Sequence, residues 1–445
     1  MTTALKTDHY ELTMVQASWA SGLAQRRSVF ELFTRKLPEG RRYGVCVGAG
    51  RLLDALEEFR FDSSTIDFLT SHNVVDSPLA AWLSEFRFGG NIWGYPDGEL
   101  YFPGSPLLIV EGSFAEACIL ETLALSIYNY DSAVASAASR MTLMAGNRPC
   151  IEMGSRRANE YAAVAAARAA YIAGFGSTSN LEAGFRYGVP TAGTAAHSFT
   201  LLHDTERDAY VNQLATLGEK TTLLVDTYNI DEAIRTGVEL TDGRLGAIRI
   251  DSGDLFEAAI HARTLLDELG AVNTRIIVTS DLDEFQIAAL RAAPVDGYGV
   301  GTSLVTGSGA PTSFMVYKLV SREGESGEMV SVAKASSGKA TVGGRKFALR
   351  RLNDNGRATA EVIGVGAMPE GDSNDRELLV PLVLDGEIVG REPLAAARER
   401  HTAALAELPL DARKMSKGDP AIETIYLDEQ GNPPAGFDTG APKER

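Results

Sequence analysis

A single histidine stands in a run of small residues, Gly193-Thr194-Ala195-Ala196-His197-Ser198-Phe199. Thr194 and Ser198 add hydroxyls, and imidazole is the side chain that changes charge near neutral pH. A ring nitrogen in a turn where backbone can pass close to a ligand suits phosphate chemistry, with nitrogen as the nucleophile. For this stretch alone, a tight turn with a hydrogen-bonded histidine is the plainer alternative. Arg249-Ile250-Asp251-Ser252-Gly253-Asp254 is the second cluster. In a strand its alternate charges Arg249 and Asp251 point to one side together.

Other residue types suit the same chemistry. The adjacent pair Arg156 and Arg157 matches an anion by forked hydrogen bonding. Gly301-Thr302-Ser303, with Gly307-Ser308-Gly309, offers backbone N–H groups to a phosphate. Asp251, Asp254 and Asp281 suit Mg²⁺ or sugar hydroxyls, because hard cations take oxygen. Phe175 or Tyr10 could stack on a flat ring. Taken singly, each has an ordinary structural reading: solvated arginines, a helix cap at Asp254, a loose glycine loop.

The elements that must position these groups follow from the spacing of apolar residues. From Arg148 the chain alternates short apolar segments with helical stretches. The segments fall at 150–153, 170–173, 190–192, 222–225, 247–250, 275–278 and 297–300. Repeated strand–helix units imply a parallel sheet, and seven or more favour a closed barrel over an open doubly wound sheet. In such a barrel the chemistry gathers where strands end. Here each segment runs into polar residues: Gly154 to Arg157, Gly176 to Thr178, Thr194 and His197, Asp226, Asp251, Ser280 and Asp281, Gly301 and Thr302.

Earlier, Thr7 or Asp8 caps a helix bearing Leu12, Val15 and Trp19, and Ser28 to Thr34 alternates as a strand. Helices are expected over 49–88, strands at 91–95, 99–102 and 106–110, and a helix over 114–130. The clearest helix is 255–269, apolar on one face and stopped by Gly270. After Val320, the Gly-, Ser- and Lys-rich stretch 324–344 reads as hairpins or loops. Strands at 359–363 and 378–384 and a helix at 393–406 follow. The expected domains are an N-terminal sandwich (1–130), a catalytic barrel (131–320), a C-terminal segment on the N-terminal domain (321–430), and a mobile tail (431–445).

The 445 residues suffice for two or three domains, and 44% hydrophobic with 23% charged residues is ordinary globular composition. A net charge of −17 argues against nucleic acid or an anionic membrane as partner. Any phosphate ligand therefore needs a local arginine cluster. The three cysteines, Cys46, Cys118 and Cys150, are widely spaced. They read as reduced core thiols of a cytoplasmic protein. No signal-peptide core or membrane-length apolar run is present in the sequence.

Read together, these stretches resemble the nicotinate phosphoribosyltransferases, the ATP-assisted first enzymes of NAD salvage from nicotinic acid. The resemblance rests on Thr7-Asp8-His9-Tyr10, Gly154-Ser155-Arg156-Arg157, Thr178-Ser179-Asn180, the 193–199 run, Asp226-Thr227-Tyr228, 248–254, Gly299-Val300-Gly301-Thr302 and Val316-Tyr317-Lys318-Leu319. It implies an irregular α/β barrel of the type II phosphoribosyltransferase kind beside a discontinuous α/β sandwich built from both chain ends. It also implies that His197 takes phosphate from ATP, that Tyr10 and Thr194 contact nicotinate, and that Tyr10 does so in the other subunit of a homodimer. Arg249 and Asp251 would hold phosphoribosyl pyrophosphate, with Ser252 and Gly253 beside them. Gly301 and Thr302 would cradle its 5-phosphate, and Arg156 and Arg157 would bind anionic oxygens. Phe175 would stack on the substrate, and Asp281 would meet Mg²⁺ through the pyrophosphate.

Rival readings remain at this stage. A nicotinamide or quinolinate phosphoribosyltransferase is nearest, although quinolinate's two carboxylates ask for more cationic groups than these motifs supply. A barrel hydrolase using Asp251 and Asp254 needs two carboxylates that converge, whereas i and i+3 across a strand-to-helix turn diverge. A non-catalytic binding protein has no use for both a phosphate cradle and a titratable histidine.

Overall fold

The computed structural model describes residues 2–334 and 341–434, which form two compact units. The first unit joins residues 1–133 to 312–445, and the second is 134–311.

In the first unit, strand Arg27–Thr34 is flanked on both sides. Met315–Glu323 pairs antiparallel with it from Ser28↔Arg322 to Thr34↔Met315, and Pro106–Ser113 pairs along its other edge. Asn91–Gly94, Val380–Leu384 and Glu387–Ile388 extend that side, and Met329–Ser331 closes the opposite edge. Chain ends are thus interleaved in one seven-stranded sheet. This corrects the expected boundary: residues 312–320 belong with the chain ends because their strand pairs with Arg27–Thr34. A four-stranded sheet holds Arg376–Glu377, Lys346–Leu352, Ala358–Val365 and Glu423–Leu427.

Helices Ala49–Glu57, Ser63–Ser71 and Ser77–Ser84 bury Leu52, Leu53, Leu56, Leu69, Leu79 and Leu83 in the first unit's core. Phe59, Phe61 and Phe86 pack edge to face among themselves at 5.7–6.1 Å. Two ion pairs lie within this apolar interior. Lys346 Nζ donates to Glu31 at 2.6 Å and Arg350 to Glu361 at 2.7 Å, all four fully buried. Each pair joins strands, and in the first an N-terminal strand meets a C-terminal one.

Second-unit strands are all parallel, in the order Ser177–Thr178, Cys150–Glu152, Gly297–Val300, Arg275–Ser280, Ala247–Ile250, Thr222–Leu224. They form a curled half-barrel sheet. Ile248, Ile250, Ile276, Val278, Tyr298 and Val300 are buried, as β-branched and aromatic residues of a two-sided parallel sheet should be. Helix Leu255–Glu268 is the one expected from its apolar face, with Asp254 as its cap accepting from Phe256 and Glu257 N–H groups.

Two expected strands are absent from that list. Residues 170–173 end helix Glu160–Ile172, whose residues Ala163 to Ala170 are all buried. A helix buried on every side shows no period and reads like a buried strand. The segment 190–192 makes only an isolated bridge, Thr178↔Thr191. The fully closed barrel expected from seven strands gives way to six, and the two edge strands do not pair with one another among the described residues.

The helix expected over 114–130 is two helices, Phe114–Cys118 and Glu121–Ala145, the second crossing the unit boundary in sequence. Of the expected tail, residues 435–445 lie outside the described residues, as do 335–340 of the expected loop. No helix among the described residues is long and apolar enough to cross a membrane.

Candidate active site

Strand register decides which side chains meet. Arg249 pairs with Ile277, Ile277 with Gly297, and Thr279 with Gly299. Because side chains alternate, Arg249, Thr279 and Gly299 share a face where neighbouring strands end. They line a cavity of ≈ 190 Å³ with Met153, Arg156, Arg157, Asp251, Ser280, Asp281, Gly301 and Thr302. Three guanidiniums facing two carboxylates give this pocket a positive balance inside a strongly acidic chain. Gly299 is a steric requirement: a Cβ there would stand 2.4 Å from Thr279 Cγ2 and 2.8 Å from Met153 Sδ.

Arg249 is held on every side. Its Nε donates to Thr279 Oγ1 at 2.9 Å and its Nη2 to Asp251 Oδ1 at 2.9 Å. Nη1 reaches Thr194 Oγ1 at 3.3 Å and the Ala195 carbonyl at 3.5 Å. Thr279 also donates a short hydrogen bond to Asp251. Burial pushes the Asp251 carboxyl up. The hydrogen bonds from Thr279 and Arg249, the Arg249 charge and nearby His197 outweigh it and hold that carboxyl below the usual range. Asp251 is therefore a carboxylate at neutral pH.

His197 opens the short helix His197–Leu202 and is not among the cavity-lining residues. Asp226 connects it to them. Its Oδ2 accepts from the Asp251 N–H at 3.0 Å and from Ser252 Oγ at 2.6 Å. Its Oδ1 lies 3.3 Å from His197 Nε2. That contact is ion-pair proximity without hydrogen-bond alignment, since Oδ1 has no aligned donor. The Asp226 side chain is 2% exposed and His197 38%, so a ligand can reach the ring but not the carboxylate behind it.

The structure thus gathers Arg156, Arg157, Arg249, Asp251, Asp281, Gly301 and Thr302 at one cavity, and ties Thr194, His197 and Ser252 to it by contacts. Gly253 is exposed in the loop after Ser252. Asp254 is a helix cap, its ordinary reading. Phe175 is a correction: its ring is fully buried in the fold and is not available to stack on a ligand. Tyr10 belongs to the first unit, on the first turn of helix His9–Ala20. It is 45% exposed, and its phenol hydrogen-bonds to Glu121.

Two contributors, Thr279 and Glu152, were not singled out from sequence, and Ser280, which was, has a backbone feature that the sequence does not show. Thr279 directly follows the apolar segment 275–278, and only its parity with Ile277 marks it as facing the cavity. Ser280 takes φ 148°, a region that side chains other than glycine rarely occupy. Glu152 is buried at the end of its strand and was hidden within the apolar segment 150–153.

A family model described as the nicotinate phosphoribosyltransferase N-terminal domain matches residues 5–129. The chain is 55% identical over 429 residues to a nicotinate phosphoribosyltransferase of Mycobacterium tuberculosis, covering 94% of each. To the Bacillus subtilis nicotinate phosphoribosyltransferase it is 37% identical over 364 residues, 79% of this chain and 74% of that one. The solved structure of human nicotinic acid phosphoribosyltransferase superposes with a TM-score of 0.81 at 25% identity, covering 94% and 97% of the two chains. Nicotinate-nucleotide pyrophosphorylase from Pyrococcus furiosus shares the fold at a TM-score of 0.74 and 22% identity, over 91% and 95%. With similarity running nearly end to end and the half-barrel of type II phosphoribosyltransferases beneath it, this chain belongs to the nicotinate phosphoribosyltransferase family.

Proposed function

We propose that the chain transfers the phosphoribosyl group of phosphoribosyl pyrophosphate to nicotinate, giving nicotinate mononucleotide and diphosphate, with ATP turnover coupled through His197. The observation that carries this reading is the anchored Arg249–Asp251–Thr279 cluster facing Arg156 and Arg157 across one cavity. Arginines suit the diphosphate, the Asp251 carboxylate suits ribose hydroxyls, and the Gly301–Thr302 turn suits the 5-phosphate.

In the transfer, the pyridine nitrogen forms a bond to C1 as the C1–O bond breaks and diphosphate departs with that electron pair. Positive charge grows on the ribose and negative charge on the leaving group, so fixed guanidiniums lower the barrier more than they tighten the ground state. No side-chain nucleophile is needed at C1, and holding the two reactants in line supplies much of the rate.

Mg²⁺ neutralises the leaving diphosphate when bound. The donor set fits an ion that arrives on the substrate. Among the described residues no trio of His, Cys, Asp or Glu forms a protein cage, and Asp251 is already engaged by Arg249 and Thr279. Asp281, at the cavity wall, is the residue that would hold it.

For ATP, a neutral His197 nitrogen attacks the γ-phosphorus while ADP leaves, and water later returns the phosphoryl group as phosphate. Nε2 lies 3.3 Å from Asp226 Oδ1, which leaves Nδ1 as the nitrogen to take the phosphoryl group. The half-exposed Tyr10 ring serves nicotinate in a partner subunit. Leu181 and Phe185, one turn apart and 76% and 91% exposed, favour a homodimer that covers them. Three buried free cysteines favour a reducing, cytoplasmic setting.

The test is mononucleotide formation from phosphoribosyl pyrophosphate with nicotinate, nicotinamide or quinolinate, each with and without ATP. Nicotinate should be turned over fastest, with stimulation by ATP. His197→Ala should keep a slow ATP-independent reaction and take no acid-labile label from γ-labelled ATP. Turnover confined to another pyridine would replace nicotinate, and a label retained by His197→Ala would remove the phosphohistidine.

A further inference from the structure

The loop bearing Arg156 and Arg157 has no ion pair of its own among the described residues, yet something must hold two adjacent guanidiniums at the cavity wall. Behind the loop lies Glu152, 0% exposed at the end of strand Cys150–Glu152. One carboxyl oxygen accepts from the Gly154 N–H and the other from the Thr178 hydroxyl, both by short hydrogen bonds. Thr178 Oγ1 in turn accepts from the Asn180 N–H at 2.9 Å. Asn180 Nδ2 returns to the arginine loop, donating to Ser155 Oγ at 3.0 Å. The circuit closes: Glu152, Gly154, Ser155, Asn180, Thr178 and back to Glu152.

We infer that Glu152, Thr178 and Asn180 are positioning residues for the anionic leaving group of the donor substrate, acting through the Arg156–Arg157 loop. The inference rests on the phosphoribosyl-transfer reading above. Two features favour positioning over simple filling of space. Both Glu152 oxygens are spent on the loop and on the neighbouring strand end, and neither reaches a charged partner. Gly154, which the circuit holds, also packs against the opposite phosphate-binding turn. A Cβ on Gly154 would lie 2.2 Å from Val305 Cγ1 and 3.1 Å from the Gly301 carbonyl. Holding Gly154 in place therefore fixes the distance between the arginine pair and the Gly301–Thr302 turn. That distance is what a donor with a diphosphate at one end and a phosphate at the other must match.

Glu152→Ala empties a fully buried site and can abolish folding, so Thr178→Val and Ser155→Ala carry the test. Each removes hydroxyl contacts in the circuit while nearly conserving shape. Steady-state kinetics of the full chain should show KM for phosphoribosyl pyrophosphate raised roughly 3- to 10-fold, the worth of one net hydrogen bond. KM for nicotinate should stay within about 2-fold, a change well below that hydrogen bond's worth. Inhibition by inorganic diphosphate should weaken in parallel, and Thr178→Ser should restore both.

In an Arg156→Ala, Arg157→Ala background, the same changes should lose their effect on diphosphate inhibition, because coupled residues are not additive. A drop in Tm with unchanged KM for the donor, or equal effects with and without the arginines, overturns the inference. A wild-type chain that uses no phosphoribosyl pyrophosphate overturns the underlying reading instead.

Discussion

Replacing Arg249 by alanine tests the site at its most heavily anchored group. Four contacts disappear: Thr279 at 2.9 Å, Asp251 at 2.9 Å, Thr194 at 3.3 Å and the Ala195 carbonyl at 3.5 Å. Asp251 keeps its hydrogen bond from Thr279 but loses its cationic partner, so its carboxyl should rise toward the ordinary range. The effect on catalysis exceeds the effect on folding, because the group lines a solvent-reached cavity and its side chain is 13% exposed. Loss of one charge-assisted contact to a developing oxyanion costs about 3 kcal/mol, or a factor on the order of 10² in kcat/KM.

Arg249→Lys should recover part of that, since an ammonium keeps the charge but cannot bridge Thr279, Asp251 and Thr194 at once. The assay is initial rate against phosphoribosyl pyrophosphate at saturating nicotinate, with circular dichroism to verify folding. A folded Arg249→Ala chain within about threefold of wild type, far short of the loss a charge-assisted contact predicts, would falsify the placement of Arg249 on the substrate.

Three further predictions concern the rest of the molecule. Burial lowers the His401 pKa to about 4, assisted by the Arg398 charge. With a folded pKa below the unfolded value near 6.5, stability is full above that range and falls as pH drops from about 6.5 to 4, by roughly 3 kcal/mol. His401→Asn should flatten the Tm-versus-pH curve in that window, and an unchanged curve would clear His401 of responsibility.

Lys346→Met strands Glu31 without a partner in the core and should cost about 3–5 kcal/mol, while Glu31→Leu with Lys346→Met should regain most of it. Denaturant melts of the two variants decide this, and equal losses would count against it. Ser280→Gly releases a backbone conformation worth about 1–3 kcal/mol of strain. It should raise Tm while increasing KM for phosphoribosyl pyrophosphate, whereas a lower Tm would show that Ser280 is unstrained.

What could be read from the sequence followed periodicity. Helix Leu255–Glu268 announced itself through one apolar face and the Asp254 cap, and strand Arg27–Thr34 through alternation. The alanine-rich helix Glu160–Ile172 did not, because burial on all sides erases the period. Strand Ser177–Thr178 has two residues and carries no pattern at all.

At the site, polar residues after apolar segments pointed to Arg156, Arg157, Asp251, Asp281 and Thr302, and strand alternation pointed to Arg249; the fold brings all six to one cavity. Phe175 failed for the same reason that made it attractive: an aromatic beside two glycines at a strand end can turn either way, and here it turns inward. Thr279 and Glu152 were illegible because their importance lies in pairing across strands. Register fixes such pairing, and a single strand's composition does not reveal it.

Asp226 shows most clearly why the site had to be assembled in three dimensions. Strands Thr222–Leu224 and Ala247–Ile250 are neighbours, with Leu224 opposite Arg249, so the residues that follow them meet just beyond the sheet. There one buried carboxylate faces His197 with one oxygen and holds the Asp251 N–H and Ser252 hydroxyl with the other. In the proposed cycle a phosphohistidine would add up to about two negative charges beside that carboxylate. Repulsion at Oδ1 and hydrogen bonding at Oδ2 act on the same rigid group. A change at the histidine therefore bears on the turn that carries Asp251, and through Asp251 on Arg249. ATP can drive substrate binding only if the phosphorylated and free forms differ in affinity for the donor. A carboxylate shared between the histidine and the turn proposed to hold ribose is a direct physical route by which they would.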